Sequence, residues 1–376
     1  MGGGDRFTAR CCESHILARM SRRLEDAGAP IHRDEHSLST WWYTHRLMKI
    51  SGPVASLCIV ATAVLIGVIV GGAAALEPAP RAAATSCDYE IVYETFARLI
   101  LVPVTIGDSP QMDFVLDSGA TQSSITDPYL AEALGLGVRD VGLARGMGSG
   151  AVHVLITEDV SVRSQGFELL HTPLVVHDIG ERLAAMAGRD IHGFLGADLF
   201  ERYVVEIDPT ARRLVLHDPK TFTYRGGGEA LPLEIVDRRP VVRASVMVDP
   251  GGKPIPVRLV VDTGSSRYLT LITGSRRKLK PPPERTLGGS VGVVGAALVV
   301  LGPVARLELG SHTADNVETA WMEGYQIPAV RNIPKLNGVL GNALLRRFRV
   351  IFDYRGARMI LDEVSGFPDI MNENPD

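Results

Sequence analysis

Two aspartates in this chain end short apolar runs, and each is followed by a hydroxyl residue and a glycine. Asp117 lies in Phe-Val-Leu-Asp-Ser-Gly-Ala-Thr (114–121), and Asp262 lies in Leu-Val-Val-Asp-Thr-Gly-Ser-Ser (259–266). A strand that runs into such a turn places its carboxylate on the floor of a cleft, because glycine permits a tight turn. If the two loops face each other, the carboxyl groups hold one proton between them, since adjacent negative charges repel. Such a pair could deprotonate a water molecule and polarise a carbonyl group.

A repeat places the two aspartate motifs in equivalent positions. The shift that carries Asp117 onto Asp262 also aligns residues 192–216 with residues 337–361 without a gap. Upstream, the tripeptide Glu-Ile-Val at 90–92 recurs at 234–236, one position short of the same shift, which suggests an inserted residue. The second half of the chain is therefore interpreted as a copy of the first.

Each half of the repeat has the pattern of a mostly β structure. Short runs of β-branched residues are separated by turns rich in glycine and proline, and the helical segments are short. The expected organisation is a cytoplasmic tail (1–49), a transmembrane helix or signal sequence (50–76), a stalk (77–87), an N-terminal lobe (88–222), a linker (223–231), a C-terminal lobe (232–366) and a tail (367–376).

The apolar segment 50–76 predicts export of everything that follows it. It carries no charged side chain, and a run of this length can cross a bilayer as a helix. Arg46 and Lys49 precede it, so the N-terminus is expected in the cytoplasm, as in a single-pass signal-anchor protein. Alternatively, translation from Met48 would make the segment a cleaved signal peptide and the protein secreted. Both interpretations place the repeat outside the cytoplasm, which would be the periplasm if the cell is Gram-negative.

The composition gives no reason to expect nucleic-acid binding, disulfide bonds in the exported part, or a metal site. A net charge of −4 gives no reason to expect nucleic acid as a partner. Of the four cysteines, only Cys87 follows the apolar segment, so no intramolecular disulfide is expected in the exported part. The histidines lack the spacing of metal ligands, and neither a metal nor another cofactor is expected.

The two motifs and their downstream partners resemble the pepsin-like and retropepsin-like aspartic proteases. The glycine of an apolar-apolar-glycine tripeptide follows each aspartate at the same separation, within 194–196 in one half and 339–341 in the other. The resemblance covers about residues 88–366 and is closest to a retropepsin-like half duplicated within one chain, as in bacterial periplasmic members. It implies an all-β, bilobal aspartic-protease fold of two related β-barrel-like lobes, here preceded by one N-terminal transmembrane helix.

The resemblance also implies a role for each matched residue. Asp117 and Asp262 would be the catalytic pair, and Ser118 and Thr263 would hydrogen-bond the two loops to each other. The residues expected to support the loops are Ser118, Gly119, Thr121, Thr263, Gly264, Ser266, Gly196 and Gly341. The glycines expected at the tips of two substrate-covering flaps are Gly146, Gly148, Gly150, Gly292 and Gly295.

Two features depart from the family pattern. Neither flap candidate has the tyrosine of pepsin-like flaps, and Ala120 stands where the second half has Ser265. Because Ala120 cannot donate a side-chain hydrogen bond to the adjacent carboxylate, we expect a pair that is less adapted to acid than that of a stomach protease.

The expected function is an exported, membrane-tethered aspartic endopeptidase that hydrolyses peptide bonds with an activated water molecule and no cofactor. Its partner would be a peptide or protein substrate bound in extended conformation. Both halves lie in one chain, so a homo-oligomer is not required to complete the site. The alternative is a catalytically inactive peptide-binding protein of the same fold. The presence of both aspartates and both glycines favours the enzyme.

Overall fold

The structure, a computed structural model, describes residues 88–144, 152–292, 295–323 and 333–364. All of these residues belong to one compact unit. The predicted tail, apolar segment and stalk lie outside the described residues, as does the predicted C-terminal tail. Within the four described ranges, no helix is long and apolar enough to span a membrane.

The described chain is mostly β, as the sequence predicts. The strands of the first half are β1 Tyr89–Val92, β2 Glu94–Phe96, β3 Leu99–Ile106, β4 Met112–Leu116, β5 Ser124–Ile125, β6 Val138–Ala144, β7 Val152–Ser164, β8 Phe167–His177, β9 Gly193–Leu195, β10 Val204–Asp208 and β11 Arg213–His217. Those of the second half are β12 Glu229–Pro232, β13 Glu234–Val236, β14 Arg239–Met247, β15 Ile255–Asp262, β16 Leu269–Ile272, β17 Thr286–Gly292, β18 Gly295–Leu301, β19 Val304–Leu309, β20 His312–Val317, β21 Thr319–Met322, β22 Gly338–Gly341, β23 Phe348–Asp353 and β24 Arg358–Glu363. The described helices are α1 Pro128–Ala133, α2 Gly180–Ala187, α3 Ala197–Arg202 and α4 Asn342–Leu345.

Each half forms its own sheet, and a third sheet joins the two halves. Among the described residues, the sheet of the first half has eight strands in the order β2-β3-β4-β9-β5-β8-β7-β6. The sheet of the second half has ten, in the order β17-β18-β21-β16-β22-β15-β14-β19-β20, with β13 paired to β14. The joining sheet has the order β1-β11-β10-β23-β24-β12, so its two central strands come from different halves. The predicted linker, 223–231, therefore runs into a strand of this shared sheet.

The same strand arrangement positions the aspartate loop in each half. Strand β4 pairs in parallel with β9, and β15 pairs in parallel with β22, where Asp262 lies opposite Gly341. Phe114, Val115 and Leu116 of β4 are fully buried because both faces of this central strand are covered. Burial of each such side chain contributes about 1.5–3 kcal/mol relative to exposure. The core thus holds rigidly the strands that carry the aspartates.

The structure corrects the register of the repeat at its start. Residues 90–92 lie in β1, whereas their apparent copy, 234–236, forms β13. The true counterpart of β13 is β2, because each forms a hairpin with the following strand through a two-residue turn. Both turns, 97–98 and 237–238, have positive φ at both residues, as type I′ hairpin turns require. The second half is longer than the first between these turns and the aspartates, because both the strands of the β14–β15 hairpin and the turn between them are longer than in β3–β4.

Candidate active site

Buried strand ends deliver both aspartates to one place. The amide of Asp117 donates to the carbonyl oxygen of Leu195 at 2.9 Å, which continues the pairing of β4 with β9. Asp262 is the last residue of β15. The two side chains belong to residues that are 0% and 1% exposed. The apolar strands therefore place two carboxyl groups in the interior, where desolvation makes ionisation of both unfavourable.

Four reciprocal hydrogen bonds join the two loops. The amide of Ser118 donates to Thr263 Oγ1 at 2.9 Å, and the amide of Thr263 donates to Ser118 Oγ at 3.0 Å. The Ser118 hydroxyl donates to the carbonyl oxygen of Val261, and the Thr263 hydroxyl donates to that of Leu116, both at 2.8 Å. All four bonds are buried, so they fix the loops relative to each other.

Each carboxyl group packs against the glycine of the opposite loop. A Cβ atom added to Gly119 would lie 2.7 Å from Asp262 Cγ, and one added to Gly264 would lie 2.4 Å from Asp117 Cγ. Real Cβ atoms do not approach so closely, so any side chain at either position would displace the carboxyl group that faces it. Glycine is therefore required at both positions by the close approach of the two loops.

The hydrogen bonds of the pair indicate a shared proton. Asp117 Oδ1 accepts bonds from the amides of Gly119 at 2.9 Å and Ala120 at 3.0 Å. Asp117 Oδ2 and Asp262 Oδ1 accept none from the donors of the described residues. Each carboxyl group lies against the glycine of the loop that carries the other aspartate, so the two acids are close neighbours. Neighbouring carboxyl groups can form a hydrogen bond with each other only when one of them carries a proton.

Burial is the main cause of the raised pKa of both aspartates. For Asp117, the negative charge of Asp262 raises the pKa further, and the amides of Gly119 and Ala120 oppose this only in part. The pKa of Asp262 is also raised by burial, while its hydrogen bond with Asp117 and the amide of Gly264 lower it. The pair therefore titrates as a unit that retains one proton more readily than two separate aspartates would.

Gly196, which follows β9, and Gly341, which ends β22, pack against the backbone of the aspartate loops. A Cβ atom at Gly196 would lie 2.6 Å from the carbonyl carbon of Gln122, and one at Gly341 would lie 2.1 Å from the carbonyl oxygen of Arg267. The amide of Gly196 also donates to Ser123 Oγ at 2.9 Å. These contacts hold the backbone that follows each aspartate.

The remaining predicted support residues occupy unlike environments. Thr121 is partly exposed, whereas Ser266 is buried. Among the described residues, Ser266 Oγ has no hydrogen-bond partner. The two positions are therefore equivalent in sequence but not in their surroundings.

The predicted flaps are described only in part. Gly146, Gly148 and Gly150 lie outside the described residues, although β6 and β7, which lead to them, pair up to the last described residues on either side. Gly292 and Gly295 lie opposite each other at the end of the β17–β18 hairpin. This hairpin is bonded to the second aspartate loop, because Arg267 Nη2 donates to the carbonyl oxygen of Gly289 at 2.8 Å.

Sequence reasoning missed Arg239, which is fully buried beside the pair. Its Nε donates to the carbonyl oxygen of Gly119 at 2.9 Å, and its Nη1 donates to the carbonyl oxygen and carboxylate of Asp237. Burial lowers the pKa of the Arg239 guanidinium, and Asp237, Asp117 and Asp262 raise it. When the hairpin turns that precede β3 and β14 are aligned, Arg239 is equivalent to Leu99. A charged residue at a position that is apolar in the other half is the signal that could have identified it.

Comparison with known protein families finds a match in the first half of the chain. Residues 102–199 match the family of aspartyl proteases. This segment is similar to the aspartyl proteases. It contains Asp117 and Gly196 but not the second motif. Among solved structures, the aspartic proteinase from Irpex lacteus is similar to the chain, with 12% identity, coverage of 76% of this chain and 99% of that one, and a TM-score of 0.44. No curated protein matches the chain in sequence.

The site is composed of a pair of acids. Within the ranges that the structure describes, no three His, Cys, Asp or Glu side chains are grouped so that they could hold a metal ion. What the arrangement can do chemically follows from two adjacent carboxyl groups, of which one can donate a proton while the other accepts one.

Proposed function

We propose that this protein is an aspartic endopeptidase whose catalytic residues are Asp117 and Asp262. The close approach of these two buried carboxyl groups, each packed against the loop of the other, is the observation that carries the proposal. Holding two acids together in the interior is unfavourable for folding, and a pair that shares a proton is suited to proton transfer. The similarity of residues 102–199 to the aspartyl proteases supports the same assignment.

In the proposed reaction, the ionised carboxylate takes a proton from a water molecule as the water oxygen bonds to the peptide carbonyl carbon. The protonated carboxyl group donates its proton to the carbonyl oxygen, so a neutral geminal diol forms and the pair still holds one proton. In the second step, a diol hydroxyl returns a proton to the carboxylate. The other carboxyl group protonates the amide nitrogen, and the C–N bond breaks to give an acid and an amine.

The proposed substrate is a peptide segment in extended conformation. Strands of the two hairpins, β6–β7 and β17–β18, would lie along it, because an extended peptide can bond to exposed strand backbone. Gly146, Gly148, Gly150, Gly292 and Gly295 would allow these hairpins to approach the substrate backbone closely. Export and tethering through residues 50–76 are part of the same proposal, and they rest on the sequence. Alkaline extraction of membranes tests the tether, and release of the protein would contradict it.

Peptide cleavage by the purified full chain tests the proposed activity. A diverse peptide mixture is incubated with the wild type, Asp117→Asn and Asp262→Asn across a range of pH, and products are identified by mass spectrometry. Asp208→Asn is the matched control, because Asp208 caps a turn by accepting from the amides of Thr210 and Ala211. We expect cleavage by the wild type and the control, and a loss of at least about 100-fold in both pair variants.

The same assay separates the enzyme from a peptide-binding protein. Undiminished cleavage by Asp262→Asn would remove the pair from the mechanism. Binding of peptides without cleavage by the wild type would instead favour the inactive binding protein.

A further inference from the structure

The two halves of the repeat differ at one position beside the aspartate pair. Strands β3 and β14 begin at Leu99 and Arg239, which are equivalent because each pairs with the last residue of the preceding strand. Leu99 is buried in an apolar cluster that includes Val115 and Phe194. Arg239 is equally buried but carries a charge. The two halves therefore have an apolar side chain and a buried cation at equivalent positions.

Arg239 reaches across from the second half to the loop of the first aspartate. Its Nε bonds to the carbonyl oxygen of Gly119, whose Cα packs against the carboxyl group of Asp262. Its Nη1 is held by Asp237, while Nη2 has no acceptor among the described residues. An arginine does not lose its proton in a protein, so its positive charge remains in the interior. Only part of that charge is neutralised by Asp237, whose side chain is 37% exposed.

We propose that Arg239 is a positioning residue that stabilises the singly ionised state of the Asp117–Asp262 pair, an inference that rests on the proposed function. A buried cation close to two acids favours the state in which they carry one negative charge over the fully protonated state. The charged and titratable groups that face Arg239 are Asp237 of its own turn, Asp117 and Asp262. The Tyr354 hydroxyl, in the turn that follows β23, is also close and is buried, and burial raises its pKa well above the usual range, so it stays neutral.

The expected consequence is a shift in the acid limb of activity. The fully protonated pair cannot deprotonate water, so kcat/KM falls below the pH at which the first carboxyl group ionises. Removal of the cation makes that ionisation harder. We expect Arg239→Leu, which copies Leu99, to move the acid limb upward by about one pH unit. Arg239→Lys keeps the charge, so its limb should stay within about 0.3 units of the wild type.

Two further variants make the test specific. Arg238→Leu is the matched control, because Arg238 lies in the same turn and also binds the first half, through the exposed Glu201 and the largely buried Asp198. It should leave the acid limb unchanged. Asp237→Asn removes the negative charge that offsets Arg239, so it should move the limb downward, by about a few tenths of a unit because Asp237 is partly exposed.

The experiment measures carboxyl titration as well as activity, in the purified full chain. Infrared difference spectra record protonation of the pair without substrate, and Asp117→Asn and Asp262→Asn identify its bands. An upward shift in Arg239→Leu, with opposite movement in Asp237→Asn, is the expected result. The inference would be overturned if the titration of the pair in Arg239→Leu occurred at the wild-type pH. It would also be overturned if Arg239→Lys moved this titration as far as Arg239→Leu does. If Arg239→Leu does not fold, the test rests on Asp237→Asn. A pair that titrates in Asp237→Asn at the wild-type pH, or at a higher pH, would contradict the role of Arg239.

These readouts separate this inference from the proposed activity. If the spectra respond to Arg239 but no peptide is cleaved, the endopeptidase assignment fails while the effect of Arg239 on the pair stands. If peptides are cleaved but substitution of Arg239 leaves the titration of the pair unchanged, only the proposed role of Arg239 fails.

Discussion

Ser118 and Thr263 belong to different halves of the chain, yet each donates its backbone amide to the hydroxyl oxygen of the other, at 2.9 and 3.0 Å. This exchange joins the two halves directly below the aspartates. It is possible only because both loops have the same conformation and face each other. The geometry of the carboxyl pair therefore depends on these two hydroxyl groups.

Replacing Thr263 by Val should weaken both the fold and the site. The change removes two buried hydrogen bonds and leaves the amide of Ser118 and the carbonyl oxygen of Leu116 without their partners. We expect the free energy of unfolding to fall by about 1–3 kcal/mol, and kcat to fall at least about 10-fold because the carboxyl groups are no longer held in place. Thr263→Ser, which keeps the hydroxyl group, should stay close to the wild type in both. Urea unfolding and peptide kinetics measure the two effects, and a Thr263→Val chain with wild-type kcat would contradict this role.

Replacing Gly264 by Ala should abolish activity through steric displacement. The new Cβ atom would lie 2.4 Å from Asp117 Cγ, so the carboxyl group must move. Because a displacement of about 1 Å can cost about 100-fold in rate, we expect kcat to fall by at least that factor. Gly227→Ala is the control, since no atom lies within 4 Å of a Cβ atom there. Comparable kcat values for the two variants would show that the loops do not approach as closely as described.

Asp117→Asn should make the folded protein more stable at neutral pH, although it destroys the pair. Burial and Asp262 raise the pKa of Asp117 well above its usual range, so the folded chain keeps a proton that the unfolded chain releases above about pH 4. The stabilising contribution of the wild-type carboxyl group is therefore complete below about pH 4 and is lost as the pH rises. We expect the variant to gain about 1–3 kcal/mol in free energy of unfolding at about pH 7 and much less at about pH 4.

Urea unfolding at these two pH values measures the gain, with Asp208→Asn as a control for the same change at a partly exposed turn. An equal effect of Asp117→Asn at both pH values would mean that its carboxyl group does not retain a proton.

His177 should limit the stability of the protein in acid. It is 1% exposed, its Nδ1 has no hydrogen-bond partner among the described residues, and burial lowers its pKa to about 3. The unfolded histidine binds a proton below about pH 6.5, whereas the folded one does not. The folded state therefore loses stability as the pH falls from about 6.5 toward 3. We expect His177→Gln to lose less stability than the wild type between about pH 7 and pH 4, and thermal unfolding at both pH values measures this. Equal losses of stability in the wild type and His177→Gln would contradict the burial of a neutral histidine.

The central part of the site could be predicted from the sequence because it is repeated. Asp117 and Asp262 are recognisable because each is followed by a glycine at the same separation. Those glycines, Gly196 and Gly341, lie so close to the loop backbone that any side chain there would clash. Strand-forming runs such as 114–116 also predict buried central strands. These features depend on local residue types and on one long repeat, both of which are visible in the chain.

Other features depend on pairing that the sequence does not reveal. The identical tripeptides at 90–92 and 234–236 occupy different sheets, because strand partners rather than residue identity decide equivalence. That error of register concealed Arg239, whose buried charge is held by a carbonyl oxygen of the opposite loop and by Asp237. The predicted linker overlaps a strand for the same reason, since residues from 229 onward pair with β24.

Hydrolysis in water enriched with heavy oxygen tests the central claim most directly, because that claim is that Asp117 and Asp262 activate a water molecule against a peptide bond. The purified wild-type chain should cleave peptides and place one heavy oxygen atom in each new carboxyl group, and Asp262→Asn should produce at least about 100-fold less labelled product. Equal labelled product from Asp262→Asn, or intact peptides after incubation with the wild type at every pH, would contradict the account.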